Sequence, residues 1–157
     1  MGRAIGIDAN VFLCVLLPGA TKADKENVDG SEALVKKISE GKIRAVTSSI
    51  VLSEIAWAFL REGKPVKEME GARYVVEEML RESVEIVHVN NDIAWQAGKL
   101  RRKYYTKENM ISYQDAIYLA TCLDTNVSQL FTTDPHLLIT KEISVLEPKS
   151  FMTDLPR

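Results

Sequence analysis

The chain has 157 residues, 46% of them hydrophobic and 27% charged, which suits one folded domain with a sizeable core. The formal net charge of −2 excludes a global positive field that would draw the chain to nucleic acid or to a membrane surface. No apolar stretch approaches the roughly 18 residues of a membrane span, and the N-terminus MGRAIGIDAN lacks the layout of a signal peptide. We therefore expect a single cytoplasmic domain over residues 1–157 that does not bind membranes.

The first half of the chain predicts two strands and four helices. Short apolar runs that end in polar residues indicate buried strands, and apolar residues spaced three and four apart indicate helices. Ser, Asn and Pro mark the points where helices begin. In chain order we predict a strand at 4–8, a helix capped by Asn10, a mobile polar loop at 18–30, a helix at 31–40, a strand at 43–47, a helix capped by Ser48 or Ser49, and a helix from Pro65 to about residue 81.

The second half predicts three more strands and two long helices. In chain order these are a strand at 84–89, a helix from Asp92, a helix from Ser112, a strand at 129–133, one helical turn at 135–139 and a strand at 144–146. Strands that alternate with helices indicate an α/β fold with a mainly parallel sheet covered on both faces. Ligands of such sheets bind beyond the carboxyl ends of the strands, which is where Asp8 and Asp134 fall.

Three acidic residues have a structural explanation when each is taken alone. Asp8 ends a strand, and Asp134 before Pro135 fits a helix cap followed by proline at the first helical position. Asp115 follows Ser112 by three residues, which matches a capping box. A structural role is the simpler interpretation of each of these acids in isolation.

Glu54 does not have such an explanation, because its neighbours one helical turn away include Val51 and Ala58. Asp115 also lies among apolar residues of its helix, and neither acid has Lys or Arg one turn away. A carboxylate on an apolar face must be neutralised, paired or bound to metal. Two helical acids and two strand-end acids can converge on one pocket, and their hard oxygen ligands suit Mg²⁺ or Mn²⁺.

Such a pocket can hydrolyse a phosphodiester. Bound cations lower the pKa of a bound water and neutralise the charge that develops on the phosphate during attack. This chemistry needs no histidine base or serine nucleophile, and the sequence has no motif for either.

The motifs IDAN, SEIAW, QDAIYLA and TTD, in this order over residues 4–139, resemble the PIN-domain family. The resemblance implies a three-layer α/β/α fold with a central, mainly parallel sheet. It also implies a VapC-like toxin, which is an Mg²⁺- or Mn²⁺-dependent ribonuclease acting on single-stranded RNA. Such toxins are often homodimers and are inhibited by a small antitoxin protein.

The same motif match implies the residues of the site. Four acids take the catalytic metal-site positions and two polar residues take the supporting positions: Asp8, Glu54, Asp115 and Asp134, with Asn10 and Thr132. The family commonly has Thr or Ser directly after the first acid, whereas this chain has Ala9. A hydroxyl that could orient a metal ligand is therefore missing at this position.

Basic residues near the acids are the expected RNA contacts. Arg101 and Arg102 lie shortly before the helix of Asp115, and we expect one of them to bind a phosphate. The helices also carry more large apolar residues than one sheet obviously covers, which favours a homodimer: Trp57, Phe59, Tyr74 and Trp95.

Three alternatives remain at this stage. An aspartyl phosphatase of the haloacid dehalogenase type also has Asp after its first strand, but it needs a second Asp where this chain has Asn10. An RNA-processing nuclease outside any toxin pair would carry the same four acids. A PIN-like scaffold without catalytic activity is disfavoured, because a scaffold has no need for such costly groups.

Overall fold

The computed structural model describes residues 3–153 as an α/β fold built on one sheet of five parallel strands. The strands are β1 (Ile5–Ile7), β2 (Ala45–Ser48), β3 (Val84–Val87), β4 (Gln129–Phe131) and β5 (Ser144–Leu146), in the spatial order β3-β2-β1-β4-β5. Every residue of β1 and β2 is buried, as expected of central strands with helices on both faces. The predicted three-layer α/β/α fold with a mainly parallel sheet is therefore confirmed.

The helices connect these strands. They are α1 (Ala9–Leu16), α2 (Lys25–Ser39), α3 (Ile50–Arg61), α4 (Val66–Tyr74) with a π-helical turn (Val75–Met79), α5 (Asn91–Tyr104), α6 (Tyr113–Asp124) and α7 (Lys149–Thr153). No helix in the described part of the chain is long and apolar enough to cross a membrane.

The segment 18–30 is not the mobile loop that the sequence predicts, because α2 already begins at Lys25. The Asp24 side chain accepts a hydrogen bond of 2.9 Å from the Asn27 backbone N–H and so caps the helix. Asn27 is buried and donates its side-chain N–H to Glu147 at 3.2 Å, while its side-chain oxygen accepts from the Lys149 N–H at 3.0 Å. These partners lie about 120 residues away in the sequence. Because the local pattern of polar residues does not contain these contacts, it predicts a loop.

Other helix boundaries also differ from the sequence prediction. Asp8 and not Asn10 caps α1, since its side chain accepts from the Val11 N–H. Asn90 caps α5, which begins at Asn91. The helix predicted from Pro65 continues beyond α4 as the π-helical turn. The segment 135–139, predicted as one helical turn, forms turns that are not helical, and α7 is absent from the sequence prediction.

The strand order places one special point at the centre of the sheet. The chain builds from β1 outward to β2 and β3, then crosses back to place β4 on the other side of β1. A crevice forms at such a switch point beyond the carboxyl ends of the strands, and open α/β sheets bind their ligands there. The fold therefore predicts a binding site at the ends of β1 and β4.

Candidate active site

Two acids lie at the switch point and two helices bring two more beside them. Asp8 follows β1, and Asp134 lies three residues after β4, the strand that pairs with β1. Glu54 lies in α3 and Asp115 in the first turn of α6. Coulombic interaction links Asp8 with the three other acids, and Asp115 also shares a hydrogen bond with Asp134. The four acids predicted from the sequence thus form one cluster.

Asp8 is the most deeply placed member of the cluster, with 3% of its surface exposed. One carboxylate oxygen accepts from the Val11 N–H at 3.3 Å and the other accepts from the Thr132 hydroxyl. Burial raises the pKa of Asp8 to about 6 in spite of these hydrogen bonds, and the charge of Asp134 contributes to the rise. Asp8 is therefore held in a fixed orientation and lacks a cationic neighbour that would stabilise its charge.

Thr132 connects the residues that follow β1 and β4. Its side chain is fully buried, and its hydroxyl donates to Asp8 while accepting from the Asp134 N–H at 2.9 Å. One hydroxyl thereby fixes the positions of two acids relative to each other. The role of Thr132 in supporting a metal site remains a prediction.

Glu54 is half-buried on α3 and faces the cluster. Burial raises its pKa to about 7, with a further contribution from the charge of Asp8. The Tyr118 hydroxyl lies beside this carboxyl, close enough to lower the pKa of Glu54. The distance and angles of the Tyr118 hydroxyl do not meet those of a hydrogen bond with any described residue. Tyr118 is 2% exposed, and burial raises the pKa of its own hydroxyl well above the ordinary value.

Tyr118 was not among the site residues predicted from the sequence. It is an aromatic residue in an apolar run of α6, which gives it the pattern of an ordinary core residue. Its position three residues after Asp115 on a helix was the available signal, because residues at this spacing lie on the same face.

Asp115 forms the capping box that the sequence suggests and also lies in the acidic cluster. Its N–H donates to the Ser112 hydroxyl at 3.1 Å, and its own carboxylate accepts from the Ser112 N–H at 3.4 Å, which completes a capping box. The carboxyl group also lies against Asp134. Burial, followed by this contact with Asp134, raises the pKa of Asp115 above its ordinary value.

Asp134 is held by the turn that follows it. One of its oxygens accepts from the His136 N–H at 2.8 Å, so the side chain caps a turn as the sequence pattern suggests. Capping at this position and membership of the cluster are compatible, because a carboxylate has two oxygens and several acceptor sites.

The cluster supplies the donor atoms that a hard divalent cation prefers. No three Asp, Glu, His or Cys side chains within residues 3–153 are arranged so that they could hold a metal ion without moving. The acids instead use backbone N–H groups, hydroxyls and shared protons. Carboxylate oxygens without basic partners, three of them with raised pKa, are what Mg²⁺ or Mn²⁺ would neutralise. The chemistry of these side chains, and not their present geometry, therefore fits a divalent cation.

The acids open into a cleft of about 430 Å³, called the acidic cleft below. Glu54, Asp115 and Asp134 line it, as does Asn10 at the start of α1. Asn10 is partly buried and lines the cleft, and its supporting role remains a prediction.

The predicted RNA-binding arginines lie outside the residues that line the acidic cleft. Arg101 donates from Nε to the Ile111 carbonyl at 3.0 Å, and its guanidinium stacks 4.2 Å from the ring centre of Tyr113. Arg102 is exposed on α5. Their contact with phosphate remains a prediction, whereas Arg61 of α3 is the basic residue that lines the cleft.

The protein has an all-parallel α/β fold with a cluster of acids at the switch point of its sheet. Residues 5–142 match the PIN domain model, and the chain belongs to the PIN-domain family. This membership decides against the aspartyl phosphatase alternative. No curated protein shows a significant match to the sequence.

Solved structures share the fold. VapC20 of Mycobacterium tuberculosis, a toxin that cleaves the sarcin–ricin loop, aligns with a TM-score of 0.63 and 18% identity over 84% of this chain and 91% of its own. A toxin–antitoxin complex from Klebsiella pneumoniae gives 0.62 and 18% over 92% and 98%. VapBC2 from Rickettsia felis, bound to a DNA fragment from its promoter, gives 0.65 and 14% over 92% and 98%. Similarity at this level of identity establishes the fold.

Proposed function

We propose that this protein is an Mg²⁺- or Mn²⁺-dependent endoribonuclease that hydrolyses phosphodiester bonds of single-stranded RNA. The observation that carries the proposal is the clustering of Asp8, Glu54, Asp115 and Asp134 at the switch point of a PIN domain, beside an open cleft. Buried acids without basic partners cost stability, and a metal site gives a reason for keeping them.

In this proposal the four acids hold the divalent cation, and each acid is positioned by its neighbours. Thr132 and the Val11 N–H orient Asp8, the capping box orients Asp115, and the turn after β4 orients Asp134. When bound, the cation supplies Lewis-acid chemistry that lowers the pKa of water and neutralises phosphate charge. The carboxylates supply no covalent step of their own.

The proposed biological context is a toxin–antitoxin pair. It rests on fold similarity to VapC20, the Klebsiella complex and VapBC2, and it implies a small antitoxin protein as a partner and a cytoplasmic location. We also propose a homodimer, which the exposed apolar side chains of Tyr74 and Trp95 favour. An RNA-processing nuclease outside a toxin pair would have the same cleft, and growth arrest on expression in bacteria is expected only for the toxin.

Cleavage of a labelled single-stranded RNA tests the proposed activity. We expect cutting with Mn²⁺ or Mg²⁺, none with excess chelator, and loss of cutting in Glu54→Gln and Asp115→Asn. Asp124→Asn is the matched control, because Asp124 is an exposed acid at the other end of α6. Full activity in chelator would overturn the metal mechanism, and wild-type activity in both site variants would overturn the assignment of the site.

A further inference from the structure

A large aromatic side chain stands exposed inside the acidic cleft. Trp57 lies three residues after Glu54 on α3, and 61% of its surface is exposed. It lines the same cleft as Asp115 and Asp134. Tryptophan is on average a highly buried residue and dominates the interfaces in which it takes part, so an indole left open in a cleft points to a ligand.

The exposed side chains that line the cleft beside Trp57 are polar. Ser53 and Gln114 line the cleft and are exposed, whereas the apolar lining residues Leu13 and Ala58 are 5% and 2% exposed. Within the cleft the exposed neighbours of the indole are therefore polar, whereas Leu60 of α3, which does not line the cleft, is a second exposed apolar side chain. A flat aromatic face next to hydrogen-bonding side chains is the combination that proteins use to bind an unpaired nucleobase.

Charge favours the same ligand. The four acids repel the phosphates of RNA. RNA binding in this cleft therefore benefits from a contact that does not depend on charge. Stacking on an aromatic ring is such a contribution, because every base has a π-face. Arg61, four residues after Trp57, lines the cleft as well; its guanidinium donates to the Ala20 carbonyl at 3.1 Å and forms an exposed ion pair with Glu62 at 3.5 Å.

Glu54, Trp57 and Arg61 lie on one face of α3. Their spacing of three and four residues places them in sequence along about 10 Å of the helix axis. One helix face thus presents a carboxylate of the reaction centre, an aromatic ring and a cation in this order. A nucleotide strand that runs along α3 would place the scissile phosphate near Glu54, a base on Trp57 and another phosphate at Arg61.

We propose that Trp57 is a base-stacking residue which binds one unpaired nucleobase of the RNA next to the scissile phosphate. The proposal rests on the nuclease function proposed above and refines its substrate class. In a duplex both faces of a base are covered by neighbouring bases, so this subsite selects single strands and loops. Arg61 contacts a phosphate on the side of Trp57 away from Glu54.

The chain offers a matched control, since its two tryptophans are both exposed. Trp95 lies on α5 with 75% of its surface exposed and does not line the acidic cleft. Trp57→Ala should raise KM for single-stranded RNA about 5- to 150-fold with little change in kcat, the range known for loss of one base–aromatic stack. Trp57→Phe should retain most of the affinity, and Trp95→Ala should behave as wild type.

An RNA with one abasic nucleotide beside the cleavage position gives a second test. It should weaken wild-type binding by the factor that Trp57→Ala causes, and the variant should then lose nothing further. An unchanged KM in Trp57→Ala, with metal-dependent cleavage intact, would overturn the subsite and leave the nuclease function standing. A change of mass in light scattering without a change in KM would also overturn it, because Trp57 would then cover a protein interface.

A binding experiment keeps the subsite testable if the protein does not cleave RNA. In the Trp95→Phe, Asp115→Asn double variant, Trp57 is the remaining tryptophan, and the strand should bind without being cut. Quenching of Trp57 fluorescence by single-stranded RNA, and not by duplex RNA, would support the subsite. Absence of quenching at saturating RNA would overturn it.

Discussion

Asp115 caps a helix and also lies in the acidic cluster that we propose to bind metal. The capping box with Ser112 fixes the first turn of α6 and with it the direction of the side chain. The contact with Asp134 places the same group in the acidic cluster. A catalytic group needs an orientation fixed by its supporting contacts, so a cap at the start of a helix is a suitable place for it. A capping motif therefore gives no reason to exclude a residue from a site.

Tyr118 is the residue whose hydroxyl we expect to support metal binding. It lies beside the Glu54 carboxyl and the Ala9 backbone N–H, which returns a hydroxyl to the region where Ala9 provides none. Tyr118→Phe should weaken Mn²⁺ binding about 10- to 100-fold, the usual loss for an outer-shell partner, when measured by titration calorimetry.

Tyr113→Phe is the control for this change, because Tyr113 lies on the same helix with its ring 57% exposed. It should bind Mn²⁺ as wild type does. A Tyr118→Phe protein with unchanged Mn²⁺ affinity and a lower metal-free Tm would show that the hydroxyl is only structural.

At the scale of elements, local pattern explains most of the fold. The runs that became β1, β2, α3 and α6 are strongly apolar, and their type and order are correctly predicted because their burial matches their periodicity. The start of α2 and the whole of α7 could not be predicted in this way. These two helices pack against each other, and their contacts join residues that are far apart in sequence.

The candidate site divides in the same manner. The four acids could be predicted, because polar residues on apolar helix faces and at strand ends are visible in the sequence. The exposure of Trp57 could not, since its position on the α3 stripe indicates a core residue as readily as a cleft residue. The burial of Tyr118 against Glu54 depends on how α3 and α6 meet at the sheet, which no local pattern contains.

Two helical glycines provide a test of the contact between α2 and α7. Gly30 of α2 is buried, and a Cβ atom there would lie 2.7 Å from the Lys149 backbone nitrogen, which cannot move aside as a side chain can. Gly30→Ala should lower the free energy of unfolding by about 1–3 kcal/mol in urea denaturation.

Gly71 of α4 is the matched control, because a Cβ atom there meets nothing within 4 Å. Gly71→Ala should raise the free energy of unfolding by up to about 1 kcal/mol, the difference in helix propensity. Equal effects of the two substitutions would show that α7 does not pack on α2 in solution.

At the scale of the whole molecule, the fold gathers negative charge at one end of the sheet. Burial, with a smaller contribution from the neighbouring negative charges, raises the pKa values of Asp8, Glu54 and Asp115, so that without metal the folded protein keeps protons at this end. The folded state then binds more protons than the unfolded chain between the ordinary and the raised pKa values. Stability and metal binding are therefore linked through pH.

The sign of this linkage gives the last prediction. The ordinary pKa values are 3.8 for Asp8 and 4.5 for Glu54, and the folded values are about 6 and about 7. In chelator, the free energy of unfolding should therefore be highest at low pH within this window and fall as pH rises through it. Thermal melts between pH 4 and pH 8 measure the trend. With Mn²⁺ at a hundredfold excess over its Kd, stability should increase by about 2.7 kcal/mol.

Asp115→Asn separates this linkage from a purely structural role of the acid. Asn keeps an oxygen that can accept from the Ser112 N–H, so the capping box survives while one like charge is removed. At pH 8 the metal-free variant should melt at or above the wild-type Tm, decline less steeply with pH and gain much less from Mn²⁺. Asp124→Asn should keep the wild-type slope and the wild-type Mn²⁺ response. If Asp115→Asn instead melts well below wild type and gains as much from Mn²⁺, the carboxyl group serves the helix alone, because a group that repels its neighbours cannot stabilise the metal-free fold.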